Sequence, residues 1–523
     1  MFTTAQMASY APLAWLSYAI DYAFWGLNPV GYHLSNILFH ALNAVLFFRL
    51  SLLLLRSIFP DEKPYSIEIG AIIAALSFAV HPLRVESVAW AAERRDVLSG
   101  FFFLATVIFY VKESSAREAR ESFQYRVLSI LSFTAAALSK ASVVPLPVAL
   151  LALDYYPLKR LGARRELRAR LLEKLPYALI AGAAALMAVK AQLVYGNLTA
   201  ASEHGAASRL AQALYGAGFY VWKTLIPAGL CALYPLDHQD LSWLAVKGAV
   251  ALAAVAGACA VLGVSRKAQC ALWGFYLAML LPVLGLLQNG PQLVALRYSY
   301  LPCLGWAALA GAAAVWALKN RRVSRLRSGA LLAALALVLV SNAWAVQRQL
   351  ALWRDDHAVW GNVLSRFPLS PTANMNYADA LLRDGDSPAA ERYARAALVL
   401  APDDGTARLT LSRALLAESR EPEALAELER GLRAAPDWGE GRALLGVLLS
   451  REGRDEEAAA QLLRAAALLP TSAETQANAG SLLAQRGRFA DALPYFERAA
   501  RLEPAYAPQL EHVRADVARA PSR

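Results

Sequence analysis

The stretch His81-Pro-Leu-Arg-Val-Glu-Ser-Val-Ala-Trp-Ala-Ala-Glu-Arg-Arg-Asp96 decides how this chain is read. It carries seven ionisable side chains in sixteen residues, wedged between the apolar runs Ile67–Val80 and Val97–Val111. Charge beside hydrocarbon is expensive, so ionisable residues at a membrane edge are functional candidates by default. Glu86 and Asp96 bracket an indole, Trp90, and two arginines, Arg94 and Arg95. The competing reading is a short hydrated loop whose charges pair with one another.

Working outward, the 523 residues are 57% hydrophobic and 18% charged, with a mean hydropathy of +0.35. That bias belongs to a polytopic membrane protein rather than a soluble one. It ends abruptly. Up to Val346 the chain is a series of apolar runs, and from Trp353 it is polar, charged and Ala-rich. Ten spans are expected, at 33–56, 67–83, 97–112, 125–139, 141–157, 175–194, 243–264, 269–287, 298–318 and 328–346, some shorter than the roughly 20 residues of a free-standing span.

The net charge of +11 follows the same division. With the N-terminus outside, the loops 56–66, 112–126, 158–175, 265–268 and 319–327 face inward and hold 20 Lys and Arg. Outward loops hold isolated cations only: Arg84, Arg94, Arg95, Lys140, Arg209, Lys223 and Arg297. This alternation obeys the positive-inside rule and places both the His81–Asp96 segment and the C-terminal tail outside. No basic patch interleaved with aromatics occurs beyond the membrane half, so no nucleic-acid partner is expected. Four cysteines without CxxC spacing mark neither a disulfide framework nor a zinc site. Tyr10–Gly26 is amphipathic, as an interfacial helix is, and the amphipathic Arg209–Pro227 is expected either to lie on the membrane surface or to re-enter it. Asn197-Leu198-Thr199 is a glycosylation sequon of little weight.

The tail repeats. Pro402, Pro436, Pro470 and Pro504 recur with a period of 34, as do Ala390, Ala424, Ala458 and Ala492, and Leu381, Leu415, Leu449 and Leu483. Gly385, Gly453 and Gly487 keep the same period, with Ser419 in the remaining place. Small residues let paired helices touch and proline ends the second helix of each pair, so this is a tetratricopeptide array. The domains expected are a membrane domain over 1–346, a stem over 347–370, and repeats at 371–404, 405–438, 439–472 and 473–506 followed by a capping helix to 523. The fold class is all-α, a transmembrane helical bundle followed by an α-solenoid.

No Walker loop, GxGxxG, HExxH or GxSxG motif is present. What the topology gathers outside is Asp21, His33, His81, Glu86, Glu93, Arg94, Arg95, Asp96, Lys140, Arg297 and Tyr298. Lys140, between two apolar runs and ahead of Pro145 and Pro147, either binds an anionic head group or snorkels to the interface. A guanidinium at Arg297 suits a bidentate phosphate contact, while Tyr300 reads better as an aromatic-belt anchor. Carboxylates with outward cations are what transfer from a lipid phosphate needs: a base for the acceptor hydroxyl and cations for the developing charge. Asp21, Glu86 and Asp96 are the candidate catalytic groups. His81, Arg94, Arg95, Lys140, Arg297 and Tyr298 are the candidate contacts to lipid phosphate or sugar. No metal ligand set is assigned, and a divalent ion is the one cofactor left open.

The segments YHLSNILFHALNAVLF, SFAVHPLRVESVAWAAERRDVLSGFFF, ALDYYPLKR and ALRYSYLPCLGWA, with the repeat tail, resemble bacterial relatives of the transmembrane-and-tetratricopeptide O-mannosyltransferases. These belong to the GT-C class of membrane glycosyltransferases. The resemblance implies a polyprenyl-phosphate-linked sugar as donor, a protein or glycan as acceptor, and a protein partner or the acceptor held by the repeats. It also implies a multi-pass protein of the bacterial inner membrane with its repeats on the periplasmic side, in contact with membrane lipid. Family members start with a further helix and an acidic first loop that supplies the base, and MFTTAQMASYAPLAWLS is similar only to the far end of that loop. A truncated start is one expectation, and substitution by Asp21, Glu86 or Asp96 is the other. The alternative to an enzyme is a catalytically impaired, membrane-anchored scaffold for protein–protein interaction.

Overall fold

The computed structural model describes residues 10–162, 164–194, 205–236, 240–286, 290–320 and 324–519. The chain divides into two compact units, Met1–Val359 and Trp360–Arg523. The sequon at Asn197 lies outside the described residues.

The first unit opens with α1 (Pro12–Trp25), α2 (Pro29–Ile58) and α3 (Pro64–Ala79). Each has proline in its first turn, where the missing N–H costs nothing and the fixed φ favours the helix. The series continues with α4 (Val85–Ala89), α5 (Arg94–Ser115), α6 (Ala119–Ser139), α7 (Leu146–Tyr155), α8 (Arg164–Glu173) and α9 (Leu175–Val194). It ends with α10 (Ala206–Leu225), α11 (Leu241–Val261), α12 (Arg266–Leu280), α13 (Leu304–Asn320) and α14 (Arg325–Ala351). A short antiparallel ribbon pairs Tyr234–Pro235 with Gln292–Val294.

Every one of the ten apolar runs contains a helix. Among the described residues five helices are long and apolar enough to cross a bilayer on their own, and a sixth if Pro64–Ala79 and Pro82–Ala89, bent by 51°, form one broken span. The others fall short for visible reasons. Helices α7, α12 and α13 are brief, and α6 carries Arg120, Glu121 and Arg126. Two boundaries differ from expectation. The run 67–83 stops being helical at Ala79 because Pro82 cannot continue it, and the run 298–318 becomes α-helical only at Leu304, after Pro302.

Small residues draw the bundle together, as they do wherever hydrocarbon surrounds helices. Gly70 of α3 and Gly311 of α13 meet backbone to backbone, and a Cβ on Gly311 would overlap the Gly70 carbonyl. Gly218 of α10 lies on Gly248 of α11 in the same way. The amphipathic stretch Arg209–Pro227, expected on the membrane surface or re-entering it, thus packs along α11. On the end with the basic loops, Asp154 is fully buried and accepts from the Tyr110 hydroxyl (2.7 Å), Lys174 Nζ (2.7 Å) and Arg160 Nη1 (2.9 Å). That network is what ALDYYPLKR supplies: a tie between α5, α7 and the start of α9.

After the helix Asp356–Arg366, the second unit holds four helix pairs: Pro371–Arg383 with Ser387–Leu400, Gly405–Ala417 with Glu421–Ala434, Gly439–Arg451 with Asp455–Leu468, and Ala473–Gln485 with Phe489–Leu502. Ala507–Arg519 covers the end. The periodic alanines are all fully buried between paired helices. The periodic leucines have a backbone task as well. The carbonyls of Leu381, Leu415, Leu449 and Leu483 each accept, at 2.9 Å, the N–H of the residue five positions on. This closes a Schellman cap around a left-handed residue. Gly385, Gly453 and Gly487 hold that place with φ of +86°, +75° and +71°, and Ser419 holds it with φ +62°.

A left-handed conformation costs a residue with a Cβ roughly 1–2 kcal/mol. Replacing Ser419 with glycine is expected to stabilise the tail by up to about 1 kcal/mol, after allowing for glycine's greater unfolded-state freedom. Denaturant unfolding of the two chains measures it.

Candidate functional site

The His81–Asp96 segment is neither a hydrated loop nor part of a straight helix. Pro82 breaks the chain out of α3, α4 runs for five residues, a 3₁₀ turn at Ala91–Glu93 follows, and α5 begins at Arg94. The segment is folded inward: Arg84, Glu86, Glu93, Arg94 and Asp96 are all buried.

Three carboxylates and three cations form a closed net. Arg297 donates from Nη1 to Glu86 (2.5 Å) and from its backbone N to the other Glu86 oxygen (3.1 Å). Its Nε lies 3.4 Å from Glu93. Arg95 Nη2 donates to that same Glu93 oxygen (2.9 Å) and Lys140 Nζ to the second (3.0 Å). Lys140 also donates to Asp96 Oδ1 (2.7 Å), while the Ser87 hydroxyl donates to Oδ2 (3.0 Å). Burial opposes the charge on Lys140, yet the Asp96 and Glu93 carboxylates outweigh it and hold the ammonium above the ordinary lysine range.

The net is layered. Side-chain exposure is 0–7% for Glu86, Glu93 and Asp96, but 15–26% for Arg297, Lys140 and Arg95. Cations form the rim and carboxylates the floor. The half-exposed Trp90 sits beside them, its ring stacked on Trp353 at 6.1 Å and the Arg297 guanidinium 5.4 Å away. Arranged so, the rim can receive an anion and the floor keeps the rim in place.

Asp21 and Arg94 belong to a separate clamp. Arg94 Nη2 donates to Asp21 (2.6 Å) and to the Tyr32 carbonyl (2.8 Å), Nε donates to Asn36, and the guanidinium lies 5.2 Å from the Tyr18 ring. Ser35 donates to the other Asp21 oxygen (2.8 Å). This ties α1, α2 and α5 together. His81 is a helix cap: Nδ1 accepts from Leu83 N–H and Nε2 donates to the Thr224 carbonyl (3.0 Å), which fixes a neutral ring. Tyr298 takes a hydrogen bond from Gln292 (3.0 Å) and lies under Arg297, 4.9 Å from it. His33 is exposed.

Tyr300 is a correction. It anchors no aromatic belt, being 1% exposed and bonded to Asn43 Nδ2 (2.9 Å) and His40 Nδ1 (2.8 Å). The pocket exists because Gly100 leaves room, where a Cβ would strike the tyrosine ring. Glu93, central to the net, stood only among the outward polar residues in the sequence reading, and Ser87, Asn36 and Asn43 did not stand there at all. A signal was available for α2: Asn36, His40 and Asn43 are spaced i, i+4, i+7, one polar stripe on an apolar helix. Among the described residues no three His, Cys, Asp or Glu side chains converge as a metal site. The carboxylate floor is covered by cations and does not fit a divalent ion.

Fold and site together define a multi-pass membrane protein, all helical, carrying a buried ionic net and a tetratricopeptide solenoid. The tetratricopeptide repeat family matches residues 381–448. The chain resembles the protein O-mannosyl-transferases. It is 26% identical over 430 residues to human TMTC4, covering 74% of this chain and 57% of that protein. Higher identity is confined to shorter stretches: 36% over 104 residues of human TMTC3 and 39% over 109 of mouse TMTC2, about a fifth of this chain and 10–12% of each relative. The chain thus matches only part of the length of these relatives. Among solved structures, a thermophilic tetratricopeptide protein of Thermus thermophilus aligns with 32% of the chain and 94% of its own at 22% identity and a TM-score of 0.28.

Removing one partner of a buried pair leaves the other charge uncompensated, at roughly 3–5 kcal/mol. Asp21→Asn and Arg94→Met are each expected to lower the unfolding temperature of the purified protein, and the double variant to recover much of the loss.

Proposed function

We propose that the membrane half, residues 1–346, transfers a sugar, mannose or another hexose, from a polyprenyl-phosphate donor to a hydroxyl on a protein or glycan acceptor. The stem 347–370 joins it to the repeats 371–523, which hold the acceptor or a protein partner. The observation that carries this reading is the layering of Arg95, Lys140 and Arg297 over Glu86, Glu93 and Asp96. The rim cations take the donor phosphate. As the sugar–phosphate bond breaks, its electrons pass to a phosphate oxygen that these cations stabilise.

A carboxylate must take the acceptor's proton. Of the three candidates, Asp21 is held by Arg94 and Ser35, and both oxygens of Glu86 are held by Arg297. Asp96 is the best placed, because its cation, Lys140, is a flexible point charge shared with Glu93. A phosphate that draws the Lys140 ammonium frees an Asp96 oxygen. Arg94 and His81 act as positioning residues, and Tyr298 supports Arg297. The net is on the periplasmic side of a bacterial inner membrane in this scheme, with the positive-inside alternation as its support.

A second reading, a membrane-anchored scaffold, draws on the fact that every oxygen of the three net carboxylates is already engaged. Membranes incubated with radiolabelled polyprenyl-phosphate mannose separate the two. Asp96→Asn is expected to cut transfer by about 100-fold or more, and Lys140→Met and Glu86→Gln, which loosens Arg297, to raise KM for the donor. Transfer undiminished in Asp96→Asn sinks the base assignment. No transfer by the unaltered chain favours the scaffold.

A further inference from the structure

Arg297 keeps one donor open. Its Nη1 and backbone N are held by Glu86 and its Nε faces Glu93, while Nη2 has no partner among the described residues. Held by its edges alone, a guanidinium can still rock about them, and the rings against which it stacks settle where the open nitrogen points. Two rings lie against it, Tyr298 at 4.9 Å and Trp90 at 5.4 Å. Tyr298 is next to Arg297 in the chain, and its hydroxyl accepts from Gln292. Trp90 has less to hold it. It is the one extended residue, with φ −78° and ψ 109°, between α4 and the 3₁₀ turn Ala91–Glu93. It is 40% exposed.

What steadies the Trp90 indole is Trp353, stacked on it with an interplanar angle of 30°. Trp353 comes from far along the chain. It follows α14 by two residues, and that helix packs against the Pro82–Arg84 turn and α4. Asn342 and Gln349 share its side of the helix and are both buried. Gln349 Nε2 and Trp353 Nε1 are buried without a partner. Packing and ring stacking therefore hold this seat, rather than hydrogen bonds. Three residues beyond Trp353 the helix Asp356–Arg366 begins and carries the chain into the second unit.

We propose that Trp353 is a positioning residue of the donor site. Stacked on Trp90, it fixes the ring against which the Arg297 guanidinium is set, and so aims Nη2 at the donor phosphate. This rests on the rim taking that phosphate. The stem is then part of the wall of the donor site as well as a tether, and the chain leading to the repeats departs from that wall.

The test measures binding of polyprenyl phosphate to the full purified chain, alongside transfer kinetics with polyprenyl-phosphate mannose. Trp353→Ala is expected to weaken binding roughly 2- to 10-fold, the range that one aromatic pair supports. KM for the donor rises by the same factor and kcat stays unchanged. A general loss of fold would instead lower the active fraction, and with it kcat, and leave KM where it is. Trp353→Phe is expected to restore most of the binding. Trp344→Ala, which removes an exposed indole of the same helix, is expected to change nothing. In a chain already carrying Trp90→Ala, Trp353→Ala is expected to have no further effect. Unchanged binding in Trp353→Ala, a fall in kcat alone, or losses that add in the double variant overturn the proposal and leave the rim as the donor site. No binding of polyprenyl phosphate by the unaltered chain overturns both.

Discussion

Burying charge beside hydrocarbon costs several kcal/mol per ion unless a partner of opposite sign is already in place. That constraint governs this bundle. Glu86, Glu93 and Asp96 can lie beneath the surface only because Arg297 and Lys140 arrive from two other stretches of chain to join the neighbouring Arg95. Arg94 can be buried only because α1 brings Asp21 to it. This pairing ties together the start of α5, the end of α6, the 3₁₀ turn Leu296–Ser299 ahead of α13 and the middle of α1. Arg84 marks the limit of the scheme. It is buried with no carboxylate in ion-pair contact among the described residues, holding Ser299 at 3.1 Å and lying 5.6–5.7 Å from the rings of Phe78 and Tyr300.

The two halves of the chain answer different solvents. In the bundle, small residues and ionic clamps do the joining, because lipid gives apolar side chains little reason to prefer one another. In the tail, water drives alanine-lined hairpins together, and the same backbone cap recurs at each first helix. Arg408 and Glu427 show how a charge enters such a stack: paired at 2.8 Å, with Arg408 also satisfying the Pro402 carbonyl.

The solenoid was legible nearly residue by residue, because a repeat advertises each position four times. Leu381 and its equivalents were visible as periodic, although their carbonyl task was not, since a backbone bond leaves no mark on side-chain identity. The bundle was legible as a set of apolar runs, but the lengths of the helices within them were not. Hydropathy reads composition, whereas α7 and α13 are cut short by prolines whose effect depends on tertiary context. In the net, Glu86, Asp96, Lys140 and Arg297 stood out as charges in apolar surroundings. Which charge meets which did not. Arg94 and Arg95 are adjacent in sequence and look interchangeable, yet one enters the α1 clamp and the other the net. Tyr300 looked like a belt residue because the asparagine that receives it lies more than 250 positions away.

The contact of Gly70 with Gly311 bears on the net from a distance. Gly70 precedes Glu86 by sixteen residues and Gly311 follows Arg297 by fourteen. The two helices that lead to the central ion pair therefore lie flush against each other, closest where these glycines meet. A methyl group at Gly311 would run into the Gly70 carbonyl and the Ala74 side chain, so the helices would have to part, and the ends that carry Glu86 and Arg297 would feel the change in spacing.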